Sequence, residues 1–416
     1  MINNFGGIIK LNRIQQGLTL DYISYKTGIS KSQISRIERN KEQITFENVV
    51  KIFSVMNIEV SNENFETQFE KDFQTFYSDV VYVKDIENSY KVIRSYSDKI
   101  KSSLSYIKYL LCELIYMVMK GYSQKIETYL FIEKYFEYLE SYQIQLFYDY
   151  LGVISYGNKL YKESYNYYNQ AFSYRGNDYS NAMVYFHRSI PLTIFGELSD
   201  ALECAIQARD IFTKTVNIKR LTSVNFQIAV IYSMNGHFKQ SEKLNLACIE
   251  AFNNLGMVKE VEDTYNNLIW GYVRSREFDK IIDLENKALD IMHHDHCICF
   301  YLSYAYYKLQ NKKKASEYIR KAKVQMNNPT EYMKAMINAF QVYLSKSSDE
   351  RKEKQLLKVH QITKETRQYD LEVFTMELLR EFYQSVHNTE KEYECMEKLI
   401  QYYKKKKIML KEISLL

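Results

Sequence analysis

From Gly17 to Lys41 the chain reads GLTLDYISYKTGISKSQISRIERNK. Gly17 ends a first helix whose apolar residues Phe5, Ile8, Ile9 and Leu11 share roughly one face. Thr19 is placed to cap a second helix through Leu20, Ile23 and Tyr25. Gly28 supplies the positive-φ position at that helix's C-terminus. Ser30 and Gln33 have the spacing of a capping box, with Ser30 at N-cap and Gln33 at N3. It opens a short third helix that ends near Arg39. Ile34 and Ile37 point inward, while Lys31, Ser32, Gln33, Ser35 and Arg36 point out or to the flanks. Thr45 starts a fourth helix, with Phe46, Val49, Val50, Ile52 and Phe53 on its core side.

Helix, glycine turn and helix at this spacing make a helix-turn-helix module. The pattern resembles the Cro/repressor-type domains of phage and bacterial regulators. The likeness rests on Gly17-Leu18-Thr19, Gly28-Ile29-Ser30, Ile34-Ser35 and Ile37-Glu38. The third helix is short enough to enter a major groove about 12 Å wide. Its outward residues are hydrogen-bonding types. Arg36 can make a bidentate contact to guanine and Gln33 to adenine, while Lys31, Ser32 and Ser35 can reach base edges or phosphates. Arg13, Arg39 and Lys41 are better placed for backbone contacts. Glu38 reads as structural, tying down the helix. Residues 1–65 hold eight Lys/Arg and six Asp/Glu, a net charge of only +2. So weak a charge makes a dimer on two half-sites of a palindromic operator in double-stranded DNA the natural solution.

Beyond this module the chain repeats. Tyr148, Leu151, Gly152, Ser164, Tyr168 and Ala171 follow the tetratricopeptide pattern of large and small residues on paired helices. Further units carry Tyr185, Gly196, Ala201, Ala205 and Ala208, then Ile228, Ala229, Tyr232, Gly236, Phe238, Ser241 and Cys248. Two more follow, with Leu268, Tyr272, Phe278, Ile281 and Ala288, then Leu302, Tyr306, Ala315 and Ala322. The small-residue position falls at 164, 201, 241, 281 and 315, at intervals of 37, 40, 40 and 34 residues. Such units stack into a solenoid whose first helices line a concave face. Units around Gly121 and Tyr393 are degenerate and read as caps. The expected fold is therefore all-α. A helix-turn-helix domain spans residues 1–65, a linker 66–75, and a tetratricopeptide-like repeat domain for peptide binding and dimerisation 76–416.

Composition agrees. The 416 residues include only two prolines and twelve glycines, against about 20 and about 30 at average usage. Hairpin-rich sandwiches and barrels, and Gly-rich dinucleotide folds, are disfavoured. The 39 tyrosines suit helices that pack through large amphipathic side chains. The net charge of +5 neither demands nor excludes nucleic acid, and Lys404 to Lys407 read as a solvated run. Six scattered cysteines do not form a disulfide scaffold and fit a reducing compartment. The N-terminus lacks a signal-peptide apolar region, and no apolar run approaches about 18 residues. A cytoplasmic protein without a membrane span is expected.

The two parts together resemble the RRNPP family of Gram-positive peptide-responsive regulators. The resemblance covers the whole chain by architecture and is specific by motif in residues 1–65. That segment looks most like the Rgg and NprR branches, and the length is closer to NprR. The resemblance implies a homodimer, a cytoplasmic receptor for a short imported signalling peptide, and peptide-controlled transcription, as in quorum sensing. A solenoid groove suits an extended peptide, and Asn side chains supply both donor and acceptor to its backbone. Asn225, Asn266 and Arg274 are the first candidates for gripping it. Phe226, Trp270, Arg188, Tyr304, Tyr307 and Lys308 face the same way by repeat register.

His293-His294-Asp295-His296-Cys297-Ile298-Cys299 is the densest group of metal-ligand types, yet it lacks the paired spacing of a zinc finger or ribbon. Polar turn residues and buried cysteines explain it, so no metal is expected there. No nucleotide loop, Ser-His-Asp order or HExxH motif occurs, and neither catalysis nor a cofactor is expected. Two other roles fit the same architecture. One is a Rap-like protein that binds a response regulator and modulates its phosphorylation. The other is a phage or plasmid regulator of lysogeny or conjugation.

Overall fold

The computed structural model describes residues 5–60, 63–121, 129–293 and 295–413, with the backbone alone at 63–64 and 404–413. Every regular element among the described residues is helical. The chain divides into two compact units, Met1–His187 and Arg188–Leu416.

The first unit begins with α1 (Phe5–Gln15), α2 (Leu20–Thr27), α3 (Lys31–Ile37) and α4 (Phe46–Val55). Their ends are set by local chemistry. Thr19 Oγ1 accepts from the Tyr22 N–H, and Thr45 Oγ1 from the Asn48 N–H. Gly28 takes φ +74° and donates its N–H to the Ser24 carbonyl. That left-handed cap would strain any residue with a Cβ. Ser30 Oγ accepts from the Gln33 N–H at 3.2 Å. The expected capping box is half formed, because the Gln33 amide turns to Glu42 instead. Ile8, Ile9, Ile23, Ile34, Ile37, Val49, Ile52 and Phe53 close the core. Two residues expected inside lie outside it: Phe46 is 54% exposed and Val50 40%. Four short helices enclose too little volume to bury a second apolar face.

Next come α5 (Glu63–Val81), α6 (Glu87–Arg94), a 3-10 turn at Ile100–Ser102, α7 (Tyr106–Met119) and a 3-10 segment at Leu130–Tyr138. Residues 66–75, expected as a linker, lie inside α5. Phe69 and Phe73 are fully buried, the Tyr96 hydroxyl donates to Asp72, and Lys108 pairs with Glu70. A helix so packed is an integral part of this unit. Then α8 (Ser141–Gly157) and α9 (Tyr161–Phe172) form the first clear repeat, and α10 (Asp178–Phe195) carries the chain into the second unit. A Cβ at Gly152 would sit 2.4 Å from the Tyr168 ring, so the missing side chain is what lets α9 close on α8.

The second unit continues with α11 (Leu198–Lys214), α12 (Ile218–Asn235), α13 (Phe238–Asn254) and α14 (Val258–Ser275). The partner helix of α14 is broken at Leu284 into α15 (Phe278–Asp283) and α16 (Glu285–Ile291). Three hairpins follow: α17 (His296–Lys308) with α18 (Lys312–Val324), α19 (Glu331–Leu344) with α20 (Asp349–Glu365), and α21 (Tyr369–Ser385) with α22 (Thr389–Ile413). The small-residue positions do what the pattern requires. Ser241 Oγ donates to the Ala229 carbonyl and Ser303 Oγ to the Ala315 carbonyl, while Ala201, Ile281 and Ala315 are fully buried. Many turns hold one left-handed residue, and several of these are not glycine: Val216, Arg276, Gln310, Arg367 and His387. Gly196 meets the Tyr369 ring, and α22 packs against α11, so the last hairpin of this unit returns to its first helix.

Candidate functional sites

The open face of α3 carries the residues expected to read DNA. Lys31, Ser32, Arg36, Arg39 and Lys41 are exposed, and Gln33 and Ser35 are half-buried. Lys31 pairs with Asp21 at 2.8 Å. Arg39 folds back on its own helix, donating to the Ser35 carbonyl and hydroxyl at 2.9 Å each. Arg36 Nε donates to Glu42 Oε2 at 2.7 Å, and Gln33 Nε2 to Glu42 Oε1 at 2.9 Å.

Arg13, expected to contact the DNA backbone, is engaged within the module. Its Nε and Nη2 donate to the two Glu38 oxygens at 2.6 and 2.9 Å, and its Nη1 to the Leu18 carbonyl. The side chain is 14% exposed and Glu38 only 5%. The Glu38 hydrogen bond holds the guanidinium above its ordinary pKa against the opposing effect of burial. This fork-to-fork pair braces α1 against the end of α3, and each guanidinium nitrogen makes a bond within the module.

The module is fastened to the rest of its unit. Tyr138 Oη accepts from the Gly7 N–H at 2.8 Å. Asn12 Nδ2 donates to the Lys101 carbonyl at 2.7 Å, Asn40 Nδ2 to Glu137 at 3.0 Å, and Tyr106 Oη to Gln15 at 3.0 Å.

In the second unit, Asn266 on α14 is half-buried, while Trp270 and Arg274 on α14 and Tyr304 and Lys308 on α17 share a side, as repeat register predicts. That side is covered by α21. Trp270 Nε1 donates to Asp370 at 2.7 Å, and its ring meets Phe374 edge-on at 5.0 Å. Arg274 Nη1 lies 2.5 Å from Glu377, its Nε 3.3 Å from Asp370, and its side chain is 8% exposed. Burial pushes this guanidinium's pKa down, and the charges of Asp370 and Glu377 outweigh it and hold it above its ordinary value. Lys308 pairs with Glu381 at 2.5 Å. Tyr304 is buried among Phe300, Phe340 and Phe374, and Tyr307 donates to the Tyr343 hydroxyl. Arg188 donates to Cys204 Sγ at 3.2 Å. Asn225 and Phe226 on α12 are half-buried.

Sequence reasoning missed Asp370, Phe374, Glu377 and Glu381. Their i, i+4, i+7, i+11 spacing marks one helical face, but no repeat register said what that face meets. The residue types expected to grip a ligand here grip the chain's own acidic helix.

Of the His/Cys run, Asp295 Oδ1 accepts from the Cys297 N–H as the N-cap of α17, and Oδ2 lies 3.0 Å from His296 Nδ1. These ligand-type atoms and Cys297 Sγ lie within 4.8 Å of one another. His294 is outside the described residues. All six cysteines are free thiols. No helix among the described residues is long and apolar enough to cross a membrane.

Residues 9–61 match the helix-turn-helix family. No curated protein matches the chain. Among solved structures, a Rap protein complexed with competence and sporulation factor superposes with a TM-score of 0.67 at 14% identity, covering 82% of this chain and 99% of that one. The apo form of the quorum sensor NprR from B. thuringiensis gives 0.60 at 12% identity over 82% and 99%. NprR in complex with its cognate peptide NprX gives 0.58 at 13% over 80% and 99%. The chain thus joins a helix-turn-helix domain to the helical-repeat fold of the Rap and NprR proteins, the architecture expected from its resemblance to the RRNPP regulators.

Proposed function

We propose that this chain is a DNA-binding transcriptional regulator whose activity is controlled by a short signalling peptide held by its repeat domain. It acts in the cytoplasm as a homodimer on a palindromic operator. One observation carries the reading: a helix-turn-helix whose second, third and fourth helices are capped by Thr19, Ser30 and Thr45, with Gln33 and Arg36 on its open face, is joined to a fold shared with a receptor solved with its cognate peptide. A peptide that binds one arrangement of the repeats more tightly shifts the chain toward it, and DNA affinity follows. Arg274 and Lys308 serve α21 here, so the peptide is held by the half-buried Asn225, Phe226 and Asn266 in preference to them.

The test is an electrophoretic mobility shift on the chain's own promoter region, with and without peptides encoded beside its gene. Arg36→Ala should abolish the shift and leave peptide binding, measured by calorimetry, unchanged. Failure of every fragment to bind refutes the reading. The Rap-like alternative draws support from the match to 99% of the Rap structure. A pull-down with response regulators separates the two, since the favoured reading expects none to be retained.

A further inference from the structure

Glu42 lies in the turn between α3 and α4. Each of its carboxylate oxygens is taken by a different side chain of α3, Oε1 by Gln33 and Oε2 by Arg36. Among the described residues these are the two that face out of α3 and converge on one acceptor. Lys31 goes to Asp21, and Arg39 to Ser35.

The atoms that remain free are the ones that matter. Arg36 commits Nε and keeps its Nη edge, the donor pair that suits guanine O6 and N7. Gln33 commits one hydrogen of Nε2 and keeps the other, together with Oε1. Those are the donor and acceptor that suit adenine N7 and N6. The carboxylate also fixes which way the Gln33 amide faces, a choice an unrestrained amide leaves open. Both long side chains are therefore held in one geometry before any duplex arrives.

The same carboxylate opposes binding as such. It sets a negative charge beside a surface meant for phosphates, in a module whose net charge is only +2. The hydrogen bond from Arg36, followed by that from Gln33, holds the Glu42 carboxyl below its ordinary pKa, so it is charged at neutral pH. A feature that weakens attraction to every sequence, yet orients two base-reading side chains, trades affinity for discrimination.

We infer that Glu42 is a specificity-determining positioning residue, which orients Gln33 and Arg36 as a paired reader of neighbouring bases. The inference rests on the proposed DNA-binding function. It adds a residue outside the reading helix that contacts no base itself.

The experiment needs no known operator. Full-length wild type, E42A, E42Q and R36A are each taken through selection from a pool of duplexes with a randomised central segment. The enriched motif and a scrambled duplex are then titrated at one fixed salt concentration. Wild type should enrich a motif. E42A should bind the scrambled duplex more tightly and prefer the motif about 10-fold less, with the loss at the positions R36A also blurs. E42Q keeps an acceptor for Arg36 but presents a donor to Gln33. It should blur the Gln33 position and spare that of Arg36. Melting midpoints should match wild type, since Glu42 lies at the surface. Unchanged motif and preference in both Glu42 variants overturn the inference while DNA reading stands. A wild type that enriches nothing overturns DNA reading, and the inference with it.

Discussion

Replacing Arg274 by Met tests whether α21 is held to α14 by charge. Arg274 stands between Asp370 and Glu377, over the Phe374 ring, with 8% of its side chain exposed. Methionine keeps the stem against Phe374 and removes the charge. Two carboxylates are then left without their cation. Breaking a buried pair from one side costs about 3–5 kcal/mol. Asp370 and Glu377 retain 13% and 20% exposure, so water reaches them in part and the lower end, ~3 kcal/mol, applies. For a unit of this size that is a fall of roughly 6–12 °C in melting midpoint. The assay is urea unfolding followed by tryptophan fluorescence. Trp270 is the chain's single tryptophan and bonds Asp370, so the signal reports this cluster and not the helix-turn-helix. The triple variant Arg274→Met, Asp370→Asn, Glu377→Gln, with no charge left unpaired, should recover about 2 kcal/mol of the loss. A single variant within ~0.5 kcal/mol of wild type would show that the ion pairs are incidental to the packing.

Val216 sits in the α11–α12 turn at φ +54° and is 72% exposed, so Val216→Gly relieves a strained β-branched residue and gives up little packing. Net stabilisation of roughly 0.5 kcal/mol is expected in thermal melts, after the entropy of the freer unfolded chain is subtracted, and a lower midpoint would contradict the strain. Burial, with a smaller contribution from Lys398 and Lys364 and against the pull of Glu372, pushes the His360 pKa below 6.5. Neutral His360 therefore stabilises the fold above pH 6.5, and that contribution is lost as pH falls through the folded pKa. His360→Gln should flatten the stability profile on the acid side of pH 6.5, and an unaltered profile would remove His360 as its cause.

The first four helices were legible because their signals are local. Thr19, Gly28, Ser30 and Thr45 act within four residues of themselves, and each caps as expected. The repeats were legible where small residues recur, as at Ser241 and Ala315. What escaped was tertiary. Arg13 meets Glu38 across 25 positions and Arg274 meets Glu377 across 103. No periodicity reports either pairing. The exposed Phe46 and Val50 fit the helical pattern, yet the domain is too small to cover them. Residues 66–75 lack a repeat motif, which made them resemble a connector, although Phe69 and Phe73 already have core spacing. Left-handed turns recur between repeats, but Val, Arg, Gln and His fill several of them.

The continuity of α5 through the expected linker bears on how the reading helix meets DNA. Bonds from Gly7, Asn12 and Asn40 to Tyr138, Lys101 and Glu137 mount the module on its own unit with no slack tether. A tethered reader tolerates a range of half-site spacings, because its linker absorbs the difference. A mounted one measures like a caliper. In a pair of such chains on one duplex, the interval between half-sites would be dictated by protein geometry. An operator lengthened by half a helical turn would then turn its second half-site away from a reader that cannot follow it.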